Sequence, residues 1–203
     1  MIVPNPRDAV ALRSISHDRL ILVEGGTDAN FFEALAQFLG LERDIEIRDY
    51  RGKDNLRPFL RALVASSGFH DVRSVLVTRD ADDDPAATRQ SVEQAVADAN
   101  IPASVNCRIL IMPDDTNAGM LETLCLASVE DSPVLECVAG FFECLESKSL
   151  GIAKTAVRAK HEAQVFLATL PKVQLCPGIA AQKGIWPLDN ACFEDLRQAL
   201  KSM

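Results

Sequence analysis

The sequence has few aromatic residues and no long apolar run, and both absences narrow the classes of protein that it can encode. Aromatic side chains make up 5% of the 203 residues, with one Trp and one Tyr, so a platform that stacks the bases of a single strand is not supported. No apolar run approaches the ~18 residues that a membrane-spanning helix needs. Because Pro4, Pro6 and Asp8 interrupt the region where a signal peptide would be apolar, we expect a cytoplasmic protein.

The motifs of several common sites are missing as well. The six cysteines form no C-x-x-C pair and no zinc-finger spacing, and the three histidines lie at no ligand-like spacing. The pair Gly25-Gly26 lacks the G-x-G-x-x-G form of a dinucleotide site. We expect the cysteines to be reduced, most of them in the core. The net charge of −8 argues against a broad DNA-coating surface, but it is compatible with a nucleic-acid enzyme whose basic residues are local.

Short apolar runs alternate with helical patterns over the first half of the chain. Apolar runs predict strands at about residues 20–24, 74–79 and 107–112, and the alternation at 45–47 predicts a weaker strand. Apolar residues recur at helical spacing between these strands. Such alternation is typical of right-handed βαβ units. The sequence therefore predicts an α/β fold with a central, mostly parallel sheet flanked by helices.

The second half of the chain has mainly helical patterns. They cover residues 119–127, 133–147, 152–170 and 191–201. We expect this part to pack on the sheet within a single domain of residues 1–203, with a core at about 18–128 and a helical extension at about 129–203. At the local level, Thr27 or Asp28 is expected to cap the helix after the first strand, and Asn55 the helix after the second.

Two of the predicted strands end in carboxylates. Glu24 follows the first run, and Asp80 and Asp82 follow the third. Ligands bind at the carboxyl ends of strands in open α/β sheets, and carboxylates that converge there suit a hard divalent cation. The acidic segment Asp80–Asp84 is also compatible with a solvated surface loop, but its place at a strand end favours a metal site formed by Glu24, Asp80 and Asp82.

These strand ends resemble the TOPRIM domain, which topoisomerases, primases, recombination mediators and OLD-family nucleases share. That domain has an apolar strand ending in Glu-Gly, here Leu22–Gly25, and a later one ending in Asp-x-Asp, here Val77–Asp82. The segment Val23–Phe32, where an Asp follows the Glu-Gly, looks most like the OLD-type version. Other segments resemble small stand-alone TOPRIM-like proteins: Gly52–Leu56, Met112–Asp115, Gly119–Glu122 and the helix around Lys160.

The resemblance implies a Rossmann-like TOPRIM domain and phosphodiester chemistry that depends on Mg²⁺ or Mn²⁺, with DNA or RNA as the substrate. Glu24 would act as a general acid or base or join the metal shell, while Asp80 and Asp82 would hold the cation. The resemblance is also compatible with a protein partner, such as an ATPase, that completes the function.

Further site residues are implied by the OLD-like nucleases. Asp28, Asp84 and Glu122 match the additional carboxylates, and Lys160 matches the cation that stabilises the transition state. Each also has an ordinary explanation: Asp28 as a helix cap, Glu122 as a first-turn acid beside a helix dipole, and Lys160 as a solvated side chain.

Basic residues concentrate after the second predicted strand. Arg51, Lys53 and Arg57 are candidates for binding phosphate groups beside an acidic metal centre. The alternative is a solvated helix face whose charges pair with nearby acids, which is the commoner role of such runs.

Two other functions remain open at this point. A non-catalytic module that binds nucleic acid or nucleotides through the same fold is favoured by the small size, the acidic charge, and departures from the family pattern at Lys53 and Gln164. A phosphatase with an Asp nucleophile in a D-x-D-x-T motif is less favoured, because Asp84 stands in place of the Thr.

Overall fold

The computed structural model of the chain describes residues 14–150, 155–174 and 176–203. Its four strands are β1 (Arg19–Val23), β2 (Glu46–Asp49), β3 (Ser74–Asp80) and β4 (Asn106–Met112). The helices are α1 (Gly26–Leu39), α2 (Leu56–Val64), α3 (Pro85–Asp98), α4 (Leu121–Ala127), α5 (Pro133–Ser147), α6 (Thr155–Ala168), α7 (Pro177–Gln182) and α8 (Glu194–Lys201). Short 3-10 turns occupy Lys53–Asn55, Phe69–Asp71 and Ala191–Phe193.

The strands form one parallel sheet in the order β2-β1-β3-β4. β1 and β3 are the central pair, and Leu22 of β1 lies opposite Val77 of β3. Because neighbouring parallel strands run the same way, their carboxyl ends meet at one edge of the sheet. The predicted α/β class, with a parallel sheet flanked by helices, is confirmed.

Successive side chains of the central strands enter two different cores. Leu20 and Leu22 pack in the core that includes α2 and α3, whereas Ile21 and Val23 pack in the core that includes α1 and the helices after β4. This follows from the two-residue period of a strand. Both faces of the sheet are thus covered, which is why the strands read as continuous apolar runs.

The helical second half differs from the prediction in its details. The six-residue helix α7 was not predicted, and residues 191–201 form a 3-10 turn followed by α8. The predicted helix at 152–170 is present as α6, while residues 152–154 lie outside the described part. Among the described residues, no helix has both the length and the apolar composition needed to cross a membrane.

The expected helix caps and core cysteines are partly wrong. α1 begins after Gly25, whose extended backbone occupies the cap position, and Asp28 lies in the first turn. Asn55 makes no side-chain cap, because it sits in a helical conformation within the 3-10 turn before α2. Of the six free cysteines only Cys125 is buried, and Cys137 and Cys144 are exposed on α5.

Candidate functional site

A cleft of about 370 Å³ opens at the carboxyl ends of β1, β2 and β3. Its walls come from the ends of these three strands, from the first turns of α1 and α4, and from α6. The lining residues are Glu24, Gly25, Gly26, Thr27, Asp28, Asp49, Arg51, Gly52, Asp80, Glu122 and Lys160. The cleft therefore lies at the edge of the sheet where ligands bind in open α/β proteins.

Backbone hydrogen bonds place Asp80 beside the start of α4. Asp80 is the last residue of β3, and its Oδ1 accepts from the backbone N–H of Leu121 at 2.9 Å. Asp82 and Gly119 exchange two further backbone hydrogen bonds, of 3.0 and 2.8 Å, which hold the loop before α4 against the end of β3. Glu122, only 5% exposed, is thereby brought into the cleft next to Asp80.

The first turn of α1 brings Asp28 to the same place. Its Oδ2 accepts from the backbone N–H of Gly25 at 3.0 Å, so the carboxylate stabilises the start of the helix from within the first turn. Glu24 precedes this turn, and its carbonyl accepts from Gly52 N–H at 2.8 Å. The backbone of Lys53 lies near the Glu24 carboxyl and acts to lower its pKa. The loop after β2 thus closes over the end of β1.

Burial and neighbouring charges raise the pKa of Asp28 and of Asp80 in the cleft. Burial, together with the charge of Glu122, raises the pKa of Asp28 from 3.8 to about 7, although Gly25 N–H and Lys160 oppose the rise. Burial, followed by the charges of Asp28 and Glu122, raises the pKa of Asp80 well above its usual range. Water and neighbouring cations therefore do not fully compensate these carboxylates in the protein alone.

Glu24 is half-buried at the mouth of the cleft. Burial is the main cause that raises the pKa of its carboxyl, and the charge of Asp82 adds to it. Arg79 and Lys53 act in the opposite direction. The Nε atom of Arg79 lies 4.0 Å from Oε2 of Glu24.

Asp82, Asp84 and Lys53 do not line this cleft but a neighbouring one of about 490 Å³. Asp82 has a left-handed backbone, with φ 53°, and its Oδ2 lies 3.5 Å from the Lys53 Nζ. Asp84 caps α3, because its Oδ1 accepts from the N–H of Ala87 at 2.9 Å. The structure therefore separates the acidic segment after β3 into one residue in the first cleft, Asp80, and others beside it.

The predicted basic residues are separated too. Arg51 lines the first cleft. Arg57 lines neither cleft, and its Nε pairs with Asp98 of α3 at 3.2 Å, with about half of the Arg57 side chain exposed. Arg57 thus fits the alternative of a helix face paired with local acids.

Two residues of this region were not assigned a role from the sequence. Asp49 ends β2 and lines the cleft. The feature of the sequence that could have identified it is its position shortly after the strand predicted at 45–47. Arg79 immediately precedes Asp80, and the two-residue strand period predicts that it points to the opposite face. Extending the β1–β3 register by two residues from Leu22 and Val77 would have placed Glu24 opposite Arg79.

The donor set fits a hard divalent cation in its chemistry. The side chains are carboxylates, and Mg²⁺ prefers oxygen ligands. Asp28 and Asp80 each use one oxygen for a backbone N–H, and among the hydrogen bonds of the described residues the other oxygen is unused. No group of three or more His, Cys, Asp or Glu side chains in the described ranges is already arranged to hold a metal ion. A site with three or more of these side chains as direct ligands would need side-chain movement.

Stability should fall as the pH rises from about 4 to about 7. The pKa of Asp28 is 3.8 in the unfolded chain and about 7 in the folded protein, so over this range only the folded state keeps the proton. At about 1.4 kcal/mol per pKa unit, Asp28 contributes a loss on the order of 4 kcal/mol, and its own contribution is complete above about pH 7. Urea denaturation in a chelator, at pH 4.5 and 7.5, measures it.

The variant Asp28→Asn is the matched control for this pH dependence. Its Oδ1 can still accept from Gly25 N–H, but it has no proton to lose. We expect a flatter pH dependence for this variant than for the wild type. If both proteins lose the same free energy of unfolding between the two pH values, Asp28 does not titrate as described.

The comparison with known proteins identifies a family for this chain. Residues 18–203 match the model of a family described as "Protein of unknown function (DUF3226)". No curated protein and no solved structure matches the chain. The matched range contains all four strands and every residue that lines the cleft. Since the match covers nearly the whole chain, the protein belongs to the DUF3226 family.

Proposed function

We propose that the protein is a Mg²⁺-dependent enzyme that hydrolyses or transfers phosphodiesters of nucleic acid, in the manner of a TOPRIM nuclease. The observation that carries this proposal is the convergence of carboxylates from β1, β3, α1 and α4 in one cleft, with Lys160 in the same lining. Buried carboxylates that repel one another are unfavourable in the protein alone. A divalent cation among them would offset that cost.

Asp80, Glu24 and Asp28 are the residues proposed to hold the cation. Asp80 and Asp28 are oriented by their hydrogen bonds to Leu121 N–H and Gly25 N–H. Asp82 is kept as a candidate ligand, because its charge still acts on Glu24. When bound, Mg²⁺ would neutralise charge on the phosphoryl oxygens and orient the attacking water.

Proton transfer and charge stabilisation are assigned to Glu24, Lys160 and Arg51. Glu24 is half-buried and its pKa is raised, which brings a carboxyl closer to the range of a general acid or base. Lys160 and Arg51 line the same cleft and would bind the phosphate group.

The TOPRIM fold itself is part of the proposal. It is supported by the central pair of parallel strands, β1 and β3. Glu24 directly follows β1 and Asp80 is the last residue of β3, so both lie at the same edge of the sheet. This is the arrangement that the Glu-Gly and Asp-x-Asp motifs of the TOPRIM domain imply.

Replacement of Glu24 by Gln tests the proposed activity. Purified protein is incubated with single- and double-stranded DNA and RNA, in Mg²⁺, in Mn²⁺ and in a chelator. We expect cleavage by the wild type only with a metal, and a rate at least about 100-fold lower for Glu24→Gln, the scale of general acid–base catalysis. Glu136→Gln, at an exposed position on α5, should cleave normally. Equal activity of Glu24→Gln and the wild type, or no cleavage of any substrate, contradicts the proposal.

A non-catalytic nucleic-acid or nucleotide-binding module is the second candidate. It is favoured by the observation that no metal-binding group is already formed among the described side chains. Calorimetry with short oligonucleotides and nucleotides, with and without Mg²⁺, distinguishes the two. Heat of binding that is saturable, together with unchanged ligand after incubation, supports the module.

A further inference from the structure

Arg79 is a buried cation that the proposed reaction has not used. It lies one residue before Asp80 in β3, and it is only 9% exposed. Alternate side chains of this strand point to opposite faces, so Asp80 faces α1 and α4 while Arg79 faces α3. There its Nη1 lies 3.3 Å from the Oγ of Ser91. A charged side chain at this depth needs a compensating partner.

Glu24 supplies the partner charge. Arg79 Nε and Glu24 Oε2 are 4.0 Å apart, and Glu24 is the only acidic group within ion-pair distance of Arg79 in the described part of the chain. The β1–β3 register explains the proximity, since continuing it from Leu22 and Val77 sets the two residues side by side.

The contact between Arg79 and Glu24 lacks a hydrogen bond. Arg79 Nε is buried and has no hydrogen-bond partner among the described residues. A buried donor without a partner costs about 1–3 kcal/mol, so such groups are rare in proteins. Its nearest charged acceptor is about one ångström beyond hydrogen-bond distance. A small movement of the Glu24 carboxylate towards Arg79 would satisfy the donor.

We propose that Arg79 is the positioning residue of the cleft, and that its guanidinium, anchored to Ser91, holds the Glu24 carboxylate in its working orientation. This catalytic consequence rests on the proposed function, whereas the contact itself does not. The geometry requires an arginine, because a planar guanidinium can direct Nε to Glu24 while a terminal nitrogen reaches Ser91. A lysine carries its three N–H donors on one nitrogen, so it lacks the two separate, rigidly oriented nitrogens that face Glu24 and Ser91. Charge supports the same assignment, since after burial Arg79 has the largest influence on the Glu24 pKa, which it lowers.

A double-mutant cycle in the absence of metal tests the contact. The wild type, Arg79→Met, Glu24→Gln and the double variant are unfolded in urea with a chelator. We expect Arg79→Met to raise the unfolding equilibrium constant at least threefold more in the wild-type background than in the Glu24→Gln background. A purely structural role of the Arg79 stem would give equal effects in both. Equal effects overturn the proposal.

Two further variants keep the test decisive. If Arg79→Met does not fold, Ser91→Ala takes its place in the same cycle, because it removes only the anchor of the guanidinium at an exposed position of α3. Arg43→Met, at an exposed position, is the matched control and should show no coupling to Glu24→Gln. Coupling of equal size for Arg43 overturns the proposal.

Kinetics test the consequence for the reaction. With an active wild type, we expect Arg79→Met to lower kcat at least tenfold with KM changed less than threefold, and Arg79→Lys to restore only part of the loss. Full rescue by lysine would show that charge alone suffices and would overturn the positioning role. If the wild type cleaves nothing, the proposed function fails, and the unfolding cycle still decides whether Arg79 holds Glu24.

Discussion

The variant Asp80→Asn is expected to be more stable than the wild type in a chelator and to have lost metal-dependent cleavage. In the folded protein, burial and the charges of Asp28 and Glu122 raise the pKa of Asp80, which means that its ionised form is disfavoured. Asparagine removes that charge and keeps an oxygen that can accept from Leu121 N–H, which Asp80 binds at 2.9 Å. At neutral pH the folded state should therefore gain stability relative to the wild type.

The same substitution removes the proposed response to metal. A cation at 100 times its Kd stabilises a folded protein by about 2.7 kcal/mol, and we expect this gain for the wild type but not for Asp80→Asn. Cleavage should fall at least about 100-fold, because a ligand of the proposed cation is lost. Thermal unfolding with and without Mn²⁺, together with the nuclease assay, measures both effects. Each kcal/mol of added stability corresponds to a Tm increase of roughly 2–4 °C for a chain of this size.

Asp131→Asn is the matched control for charge. Asp131 is exposed between α4 and α5, so the control changes the net charge by the same amount without touching the cleft. We expect its Tm and its response to Mn²⁺ to equal those of the wild type. Destabilisation by Asp80→Asn in the chelator would show that the carboxylates of the cleft do not repel one another as described, and retained cleavage would contradict the proposed function.

Gly178→Ala should be the most destabilising small substitution in the helical half. A Cβ at this position of α7 would lie 2.1 Å from the carbonyl oxygen of Thr27, 2.7 Å from the Cβ of Asn30 and 3.1 Å from the backbone N of Phe31. The first and last of these are backbone atoms of α1 that cannot rotate away. We expect a loss of at least about 3 kcal/mol, at the upper end of what overpacking costs.

The effect of Gly178→Ala should extend to the cleft, because Thr27 belongs to the first turn of α1 and lines the cleft. The clash with this turn would also displace the backbone N–H of Gly25, which donates to Asp28. Urea denaturation measures the stability, and Mn²⁺ titration of the folded fraction measures the site. A stability within about 1 kcal/mol of the wild type would contradict the close packing of α7 on α1.

Gly140→Ala is the matched control for this substitution. Gly140 is within α5, and a Cβ there would meet no atom within 4 Å. Alanine is favoured over glycine in a helix by about 1 kcal/mol. We therefore expect Gly140→Ala to stabilise the protein slightly, so that the same chemical change has opposite signs at the two positions.

Elements with a strong local pattern were predictable. The central strands β1 and β3 follow apolar runs that are buried on both faces of the sheet, whereas β2 and β4 are less uniformly buried. Helices α1 to α3 carry apolar residues at helical spacing. The position of Glu24 and Asp80 at one edge followed from the parallel order of the strands. By contrast, α7 has only six residues, and it packs closely on α1. This close packing could not be predicted from the local sequence pattern.

The carboxylates of the acidic segment show where local reasoning ends. Asp80, Asp82 and Asp84 look alike in the sequence, yet one lies in the first cleft, one pairs with Lys53 and one caps α3. The left-handed backbone of Asp82 and the start of α3 turn these side chains in different directions. Backbone dihedrals of single loop residues are set by contacts with distant segments, here the Gly119 loop.

Local periodicity and punctuation were enough for the α/β class and the parallel sheet, because short apolar strands joined by helices pair as right-handed βαβ units. Long-range packing determined which side chains line the cleft. The hydrogen bond from Leu121 N–H to Asp80, which spans 41 residues, brings the neighbouring Glu122 into the cleft, and the strand register brings Arg79 to Glu24. Charges from separate segments acquire a shared pKa shift only when the fold buries them together.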